Sequence, residues 1–389
     1  MYNKFDYIDN ELKRLEEENL IRKHNCFTSS QDIRSIIKNE EMLLFSSSNY
    51  LSIMQREDIM EKAYDDSRKY GMGSGGSRLT TGNSMLHERL EGKIAEFTGY
   101  ESAIIFSSGY CANVGVISAV ADKNTVIFSD MKNHASIIDG CRLSGAEIVK
   151  YRHIDMKDLE DKLKLYKDRR KVIISDGVFS MDGDILNLPE FVELSDKYSA
   201  TSIVDDAHGF GVIGEHGRGI CENYNNKYHP DILIGTLSKA IGSEGGFAAT
   251  TEKMKKYLQN KARTYIFSTS LSPYVVSSSY YVIDYLLKNN EYVKALHENI
   301  DYFVNELNNA GIDVKSSTPI IRVNIGDEKK AVDVSKKLLD KKLYVSAIRY
   351  PTVEKNRAML RITVMRNHKK EDLDLLVREL AKLKYEYQF

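Results

Sequence analysis

Between residues 100 and 250, short apolar runs end abruptly at small or charged residues, and helical patterns lie between them. Continuous apolar runs are typical of strands covered on both faces, and the intervening helices provide that cover. We therefore expect an α/β fold, with a mainly parallel sheet and helices on both of its faces. The stretches that predict strands are SAIIFSSG, NTVIFSD, KVIISDG, TSIVDDAHG and DILIGTLSKA, and helical ones include YCANVGVISAVA and LPEFVELSDKYS.

The pattern changes on either side of this region. Residues 8–24 have the spacing of an amphipathic helix, with Ile8, Leu12 and Leu15 on one face. One longer helical stretch near residues 275–310 predicts a connection to another domain. Beyond it, PIIRVNIG, YVSAIRY and MLRITVM predict strands, and a helix closes the chain.

These changes divide the chain into three parts, as its length of 389 residues also favours. We expect an N-terminal helical arm over residues 1–50, a large α/β domain over residues 51–285 and a smaller α+β C-terminal domain over residues 286–389.

The stretch GMGSGGSRLTTG contains Gly71, Gly73 and Gly76 in the spacing G-x-G-x-x-G. This spacing indicates a dinucleotide site only where a strand leads into the glycines. Here helical patterns lie on both sides, over REDIMEKAYDDSRKY before the glycines and from Leu86 to Phe97 after them. The sequence therefore predicts a loop between two helices and argues against a nicotinamide cofactor.

Charge and composition narrow the function further. Lys and Arg number 55 and Asp and Glu 56, interspersed, with a formal net charge of −1. This balance argues against nucleic acid or a membrane surface as a partner. No apolar run approaches the roughly 18 residues of a membrane span, the N-terminus is too charged for a signal peptide, and the four cysteines are scattered. We expect a cytoplasmic protein with reduced thiols.

Several common catalytic motifs are missing from the sequence. His87 and Glu88 begin HERLE, which lacks the second histidine of a zinc protease motif. No CxxC pair or histidine cluster has metal-ligand spacing, and we expect no metal. No P-loop and no GxSxG nucleophile elbow occur. Nucleotide hydrolysis, zinc proteolysis and serine hydrolysis are therefore disfavoured.

Chemically capable residues follow the predicted strands, at the edge of the sheet where open α/β folds bind ligands. Lys239 follows ILIGTLS and stands in an apolar, glycine-rich surrounding. Desolvation there would lower its pKa and leave an amine free to attack a carbonyl. The alternative is an ordinary surface lysine on a loop after a strand. If Lys239 were isolated, this alternative would be preferred.

Lys239 is not isolated, because an acid and a histidine follow the preceding strand. A pyridoxal phosphate (PLP) ring needs a carboxylate beside its nitrogen, which Asp205 can supply. His208 can bind the phenolic oxygen of the cofactor, and Tyr110 or His134 can stack on its ring. The segment SSGYCANVG offers backbone N–H groups at a helix N-terminus as a phosphate cradle.

At these residues the chain resembles the α-oxoamine synthase family of fold-type I PLP enzymes over nearly its whole length. The resemblance implies a homodimer with active sites at the subunit interface, and it makes residues 71–82 an active-site and dimer-contact loop. The matching stretches are SGGSRLTTGNSMLHERLE, FSSGYCANVG, NHASIIDGCRLSGA, DGVFSMDGD, VDDAHGFGVIGEHGRG, GTLSKAIGSEGGF and YIFSTSLSP.

The resemblance assigns individual roles as well. It makes Lys239 the lysine that bonds the cofactor and removes the Cα proton, with His134, Asp205 and His208 as the other catalytic residues. Ser268 and Thr269 are expected to reach the cofactor phosphate of the partner subunit. The cofactor-binding residues that it implies are Gly109, Tyr110, His134, Ser180, Asp205, His208, Thr236, Lys239, Ser268 and Thr269.

For substrates the resemblance implies an amino acid and an acyl thioester, carried by CoA or by an acyl carrier protein. Arg361 is expected to pair with the amino-acid carboxylate, with His134, Arg22 and Thr352 as further contacts. Ser48 belongs to the same set, although the family usually has asparagine there.

The stretch AIRYPTVEKNRAMLRITVMRNH is most similar to the family members that join L-alanine to a pimeloyl thioester in biotin biosynthesis. We expect this decarboxylating condensation. The alternatives are a family member that uses glycine or another amino acid with a different acyl-CoA, and, less favoured, an aminotransferase.

Overall fold

The computed structural model of the chain describes residues 4–17, 20–21 and 24–389. The strands of this part of the chain are β1 (Arg34–Ile37), β2 (Glu40–Leu44), β3 (Ser102–Phe106), β4 (Thr125–Asp130), β5 (Glu147–Tyr151), β6 (Arg170–Asp176), β7 (Ala200–Asp205), β8 (Ile232–Thr236), β9 (Gly246–Thr250), β10 (Ile320–Gly326), β11 (Leu343–Tyr344), β12 (Ser346–Ile348) and β13 (Ala358–Thr363).

The helices of the same part are α1 (Asp6–Glu17), α2 (Glu57–Tyr70), α3 (Met85–Thr98), α4 (Gly109–Val120), α5 (Ala135–Ser144), α6 (Met156–Leu163), α7 (Leu188–Lys197), α8 (Ile220–Asn223), α9 (Glu252–Lys261), α10 (Arg263–Ile266), α11 (Pro273–Lys288), α12 (Glu291–Asn309), α13 (Glu328–Asp340) and α14 (Lys370–Tyr387), with a 3₁₀ turn at Lys164–Tyr166.

The central feature is a sheet of seven strands in the order β3-β9-β8-β7-β6-β4-β5. All of its strands run in one direction except β9, which is antiparallel to both of its neighbours. Successive residues of a strand enter opposite apolar cores, as the strand period of two requires. In β4, for example, Ile127 packs into one core and Phe128 into the other. The predicted α/β architecture is confirmed.

Five strands of this sheet, β3, β4, β6, β7 and β8, lie where the apolar runs predict them. The pattern does not predict β5 or β9. In β5, the sequence EIVKY is mostly exposed at the sheet edge, and Glu147 and Lys150 limit its apolar run to two residues. In β9, GFAAT consists largely of small residues and is nonetheless buried throughout.

Small residues in β9 allow another element to approach it. A Cβ atom on Gly246 would lie 2.5 Å from the backbone nitrogen of Gly109 and the carbonyl group of Ser108. Helix α4 begins at Gly109, so its first turn rests directly on β9. The glycine thereby fixes where the N-terminus of α4 lies relative to the sheet.

Residues at the two ends of the chain form two smaller sheets. One has the order β1-β2-β11 and the other the order β10-β13-β12. The predicted C-terminal strands and the closing helix are present, and α14 buries the apolar side chains from Leu373 to Leu383. The N-terminal part is not only helical, because β2 pairs with β11 of the C-terminal part.

Two helical predictions need correction. The described N-terminal helix spans Asp6–Glu17 and buries none of its residues, so Ile8 and Leu12 are exposed on its apolar face. Residues 20, 21 and 24 are not helical, and the remainder of the predicted helix lies outside the described residues. The long stretch near residues 275–310 is two helices, because Asn289 adopts an extended backbone between α11 and α12. The predicted domain boundary at residue 285 stays a prediction, and the nearest break between helices is at residues 289–290.

The helices on either side of the glycine loop are present as predicted, as α2 and α3. Ile59 and Ala63 of α2 are buried, whereas Met60 and Tyr64 are exposed. Among the described residues, no helix is long and apolar enough to cross a membrane.

Candidate active site

The carboxyl ends of β6, β7 and β8 meet at one edge of the main sheet. Asp176 and Asp205 are the last residues of β6 and β7, and they are partners in the strand register. Lys239 follows the end of β8 by three residues. Because parallel strands place their C-termini together, residues far apart in the sequence form one cluster.

Lys239 and His208 are in direct contact. The Nζ atom of Lys239 lies 2.8 Å from Nε2 of His208, and the other ring nitrogen of His208 lies 2.6 Å from the hydroxyl of Tyr50. His208 and Tyr50 are buried, and burial lowers the pKa of His208 well below its usual range. The neutral imidazole can therefore accept a hydrogen bond from Lys239 through Nε2 and donate one to Tyr50 through Nδ1.

The amine of Lys239 is poised to be a nucleophile and a base. Burial lowers the pKa of Lys239 to about 8, and the charge of Arg361 acts in the same direction. The carboxylates of Asp205 and Asp176 oppose this shift. The lowered pKa gives Lys239 a larger neutral fraction near neutral pH than an exposed lysine has, and the neutral amine is the form that attacks a carbonyl.

A chain of hydrogen bonds connects Asp205 with His134. The amide Nδ2 of Asn113 donates to Asp205 Oδ2 over 2.6 Å and to Ser136 Oγ over 2.9 Å. Ser136 Oγ lies 2.8 Å from His134 Nδ1, and the backbone N–H of Ala207 donates to Asp205 Oδ1 over 3.0 Å. Asn113 and Asp205 are buried, so these bonds hold the carboxylate without solvent.

His134 receives its orientation from two sides. It precedes α5, where its Nδ1 accepts from the backbone N–H of Ser136, and its own backbone N–H donates to Asp176 Oδ2 over 2.7 Å. Burial lowers the pKa of His134, so the ring is neutral with Nδ1 as acceptor and Nε2 as donor. Burial and the charge of Asp205 raise the pKa of Asp176 well above its usual range.

Asp206 is turned away from this cluster. Its Oδ2 accepts from the backbone N–H of Ile220 over 2.8 Å, and burial raises its pKa well above the usual range. A Cβ atom on Gly209 or Gly219 would lie about 2 Å from its carboxyl oxygens. Asp206 therefore ties together the glycine-rich turns that follow β7, which is a structural role.

The N-terminus of α4 forms the candidate phosphate cradle. Ser108 caps the helix by accepting from the N–H of Cys111 over 3.0 Å, and Gly109 begins it. A Cβ atom on Gly109 would lie 3.2 Å from Cβ of Thr236, so glycine lets the end of β8 approach the helix. The hydroxyl of Thr236 is beside that of Ser238, at 2.8 Å. Tyr110 is half exposed and bonds Asp139.

Ser268 and Thr269 lie against the same cradle and the glycine loop. Ser268 Oγ is 3.5 Å from Ser107 Oγ of the same chain, and Thr269 pairs with Ser77 in an isolated bridge. The N–H of Ser270 donates to the carbonyl of Gly76 over 3.0 Å. The glycine loop therefore supports the segment that carries the two hydroxyls. Contact with a partner subunit's phosphate stays a prediction.

Arg361 reaches the site from β13. Its Nε donates to the carbonyl oxygen of Ser180 over 2.6 Å, and its Nη1 donates to Thr363 Oγ1 over 3.1 Å. The side chain is nearly buried, and its charge lowers the pKa of both Lys239 and His208. The guanidinium of Arg361 is therefore close enough to Lys239 for its charge to affect the amine.

The other predicted substrate contacts are not part of this bonded cluster. Thr352 is exposed, in a turn where its N–H donates to Arg349. Ser48 is half-buried, two residues before Tyr50. Among the described residues, no side-chain hydrogen bond joins either of them to the cluster, and Arg22 lies outside those residues.

The residues present fit the PLP that the resemblance implies. Asp205 offers a buried carboxylate for the ring nitrogen, and Lys239 offers an amine for the aldehyde. The first turn of α4 offers N–H groups for the phosphate, as helix N-termini do. Oδ1 of Asn113 is buried without a hydrogen-bond partner in the protein, so a polar acceptor faces the interior beside Asp205.

The sequence interpretation missed three residues that hold this site: Tyr50, Asn113 and Ser136. Asn113 had a signal, because it is the single amide in the apolar helical stretch CANVGV, where a polar side chain needs a buried partner. Tyr50 had none, since nothing in its local pattern indicates a contact with His208, 158 positions away.

Known proteins resemble the chain over nearly its whole length. A sequence model of the family described as aminotransferase class I and II matches residues 40–380. The 8-amino-7-oxononanoate synthase of Lysinibacillus sphaericus is 46% identical over 380 residues, which cover 97% of this chain and 98% of that protein.

Solved structures agree with this assignment. A serine palmitoyltransferase variant from S. paucimobilis, with bound PLP and myriocin, has a TM-score of 0.92 at 29% identity and covers 99% of this chain and 98% of its own. The 8-amino-7-oxononanoate synthase of Francisella tularensis has a TM-score of 0.77 at 30% identity, with 89% and 99% covered. The chain therefore belongs to the aminotransferase class I and II family and, within it, to the α-oxoamine synthases.

Proposed function

We propose that the protein is a PLP-dependent acyltransferase that makes 8-amino-7-oxononanoate, a step of biotin biosynthesis. L-alanine and a pimeloyl thioester are joined by a new bond between Cα of alanine and the acyl carbon. The thioester bond breaks, the carrier thiol is released, and the alanine carboxylate leaves as carbon dioxide. The observation that carries the proposal is the Lys239 amine, which lies 2.8 Å from Nε2 of His208, feels the charge of Asp205 and has a pKa lowered to about 8.

Bound PLP would supply an electron sink for the Cα position of the amino acid. Asp205 would hold the ring nitrogen, and Asn113 and the N–H of Ala207 keep its carboxylate in place. His208 and His134 would contact the phenolic oxygen and the ring face. The N-terminus of α4, with Thr236, would hold the phosphate.

The protein's own groups then account for the handling of alanine. Arg361 binds the carboxylate of alanine, for which a guanidinium fork is suited. The neutral amine of Lys239 accepts the Cα proton, and the partly buried setting limits competition from water. Ser48, Thr352 and Arg22 are proposed as further substrate contacts, on the resemblance alone.

The proposed assembly is a cytoplasmic homodimer with active sites at the subunit interface. In this arrangement Ser268 and Thr269 contact the phosphate in the partner subunit, and residues 71–82 line the interface. The family resemblance supports this proposal. Within one chain, the N–H of Ser270 donates to the carbonyl of Gly76, so the glycine loop and the segment that carries Ser268 and Thr269 would face a partner together.

The test is release of free thiol by PLP-loaded protein, with alanine, glycine and serine each supplied with acyl-CoAs of several lengths. We expect alanine with pimeloyl-CoA, or with pimeloyl acyl carrier protein, to give the highest kcat/KM and one carbon dioxide per thiol. Thiol release only with glycine and acetyl-CoA would overturn the assignment in favour of a 2-amino-3-ketobutyrate CoA ligase. Transfer of the amino group to a keto acid without thiol release would indicate an aminotransferase.

A further inference from the structure

The motif DGVFSMDGD contains two carboxylates, Asp182 and Asp184, that the proposed chemistry leaves without a role. They lie on a tight turn between β6 and α7, which we call the SMDGD turn (residues 180–184). The N–H of Phe179 donates to the carbonyl of Asp184, and the N–H of Gly183 donates to the carbonyl of Phe179, both over 2.9 Å. The turn is therefore a closed unit that carries Ser180 at its start.

The turn is pressed against the C-terminal part of the protein. Gly183 has φ +77°, and a Cβ atom there would lie 2.5 Å from the carbonyl oxygen of Ile320 in β10. Ser180 accepts from Arg361 of β13 over 2.6 Å. A shift of the turn would therefore move the carbonyl that orients the guanidinium of Arg361.

Two sets of charges hold the turn in place. Asp182 is nearly buried and bonds Arg322 of β10 on one side and Lys132, at 2.7 Å, on the other. Asp184 accepts from His153 Nε2 over 3.0 Å, and Nδ1 of the same ring bonds Asp130 over 3.1 Å. These contacts tie the turn to the end of β4 and to β10.

Arg322 is the residue directly opposite Arg361 in the register of β10 and β13. Like charges directly opposite in an antiparallel pair repel each other. Asp182 pairs with Arg322 and so compensates this repulsion, while the same turn supplies the acceptor for Arg361. One carboxylate thus acts on both arginines.

We infer that Asp182 is a positioning residue for amino-acid binding: it fixes the SMDGD turn and Arg322 so that Arg361 presents its guanidinium to the substrate carboxylate. The inference rests on the proposed function, because it takes Arg361 to be the carboxylate ligand. Asp182 itself touches neither substrate nor cofactor in this account.

The test compares PLP-loaded wild type with Asp182→Asn, which keeps the size of the side chain and removes its charge. We expect the apparent Kd of L-alanine, read from the change in cofactor absorbance, to rise about tenfold, which corresponds to about 1.4 kcal/mol. The KM for pimeloyl-CoA and the Kd of PLP should not change. Asp182→Glu should recover part of the alanine affinity.

The matched control is Asp161→Asn, which removes an exposed carboxylate paired with Lys164 on the surface. It should leave the alanine Kd unchanged. Hydrogen exchange gives a second readout, with faster exchange over residues 177–186 expected in Asp182→Asn and not in the control. Because Arg322 is part of the inferred mechanism, Asp182→Asn should raise the alanine Kd by a smaller factor in an Arg322→Met background than in wild type.

An unchanged alanine Kd in Asp182→Asn would overturn the inference. Equal losses in alanine, pimeloyl-CoA and PLP binding would overturn it as well, since they would indicate a general structural role. If wild-type protein does not respond to alanine, the proposed function fails instead. In that case the Kd of whichever amino acid changes the spectrum, glycine or serine, is measured in Asp182→Asn in place of the alanine Kd. Hydrogen exchange of the SMDGD turn is read as before.

Discussion

At the scale of single residues, the site combines groups that the sequence indicates with groups that only the fold brings near. The order of Asp205, His208 and Lys239 along the chain indicates a cluster, because successive strand ends of a parallel sheet meet. Their partners Tyr50 and Asn113 come from other elements: the lone amide of Asn113 indicates a buried partner without naming it, and nothing local indicates the contact of Tyr50. The sequence therefore predicted which residues carry the chemistry, but it did not predict the hydrogen bonds that hold them.

Asn113 is expected to be required for tight cofactor binding. Asn113→Ala removes the donor to Asp205 Oδ2 and leaves a buried carboxylate short of one hydrogen bond. A bond to a charged group contributes about 1.5–3 kcal/mol, so the Kd of PLP should rise about tenfold or more. Asn260→Ala, at an exposed amide on α9, is the control. Equal PLP affinity in both variants would contradict the role given to Asn113.

The pKa of Lys239 predicts how cofactor uptake depends on pH. Burial lowers this pKa to about 8, so the neutral amine gains population as pH rises through 8, where an exposed lysine is still protonated. The rate at which apoprotein takes up PLP should rise about tenfold between pH 7 and pH 9 and then level off. Stopped-flow absorbance measures this rate. A rate that continues to rise beyond pH 10 would show an unperturbed amine.

At the scale of elements, the apolar runs predicted the strands that are buried on both faces. Edge strand β5 was missed because it is mostly exposed and Glu147 and Lys150 interrupt its apolar residues, and β9 because its glycine and alanines carry no strand signal. The break between α11 and α12 was missed since Asn289 and Asn290 do not interrupt the apolar spacing strongly. Hydrophobic periodicity predicts elements with a fully buried apolar face, and it does not predict strands that are partly exposed or built from small side chains.

The contact of β9 with α4 leads to a prediction about stability. A methyl group at Gly246 would meet backbone atoms of Ser108 and Gly109, which cannot rotate away. Gly246→Ala should therefore lower the free energy of unfolding by about 1–3 kcal/mol, as overpacking does, and should also weaken PLP binding by shifting the phosphate cradle. Urea denaturation and PLP titration measure the two effects.

Gly92→Ala is the matched control for that substitution. Gly92 is exposed in the middle of α3, and a Cβ atom there would meet nothing within 4 Å. Alanine is the better helix former by about 1 kcal/mol, so this variant should be somewhat more stable than wild type and bind PLP normally. The steric account would be wrong if both variants had the same stability.

At the scale of the whole molecule, the site lies where two parts of the chain meet. The main sheet and the loops after its strands supply Asp205, His208 and Lys239, whereas Arg361 comes from β13 in the small C-terminal sheet. This division predicts that the large part binds the cofactor by itself, whereas the amino acid is bound by the large part together with Arg361 of the C-terminal part. The sequence predicted both parts, but the pairing of β2 with β11, which joins the two ends of the chain, needed the structure.

Arg361→Gln tests that division. The variant loses the cation proposed to pair with the alanine carboxylate, so the Kd of alanine should rise about tenfold or more, as removal of a charge-assisted bond implies. The Kd of PLP should stay the same. Arg357→Gln, at an exposed position just before β13, should change neither constant. Unchanged alanine affinity in Arg361→Gln would refute the assignment.

The central claim is that the amine of Lys239 bonds PLP. The most direct test is reduction of the PLP-loaded protein with borohydride, followed by proteolysis and peptide mass spectrometry. The account predicts one pyridoxyl group per chain, on the peptide that contains Lys239, and its loss in Lys239→Ala. Labelling of a different lysine, or an unlabelled Lys239 in protein that has bound PLP, would contradict it.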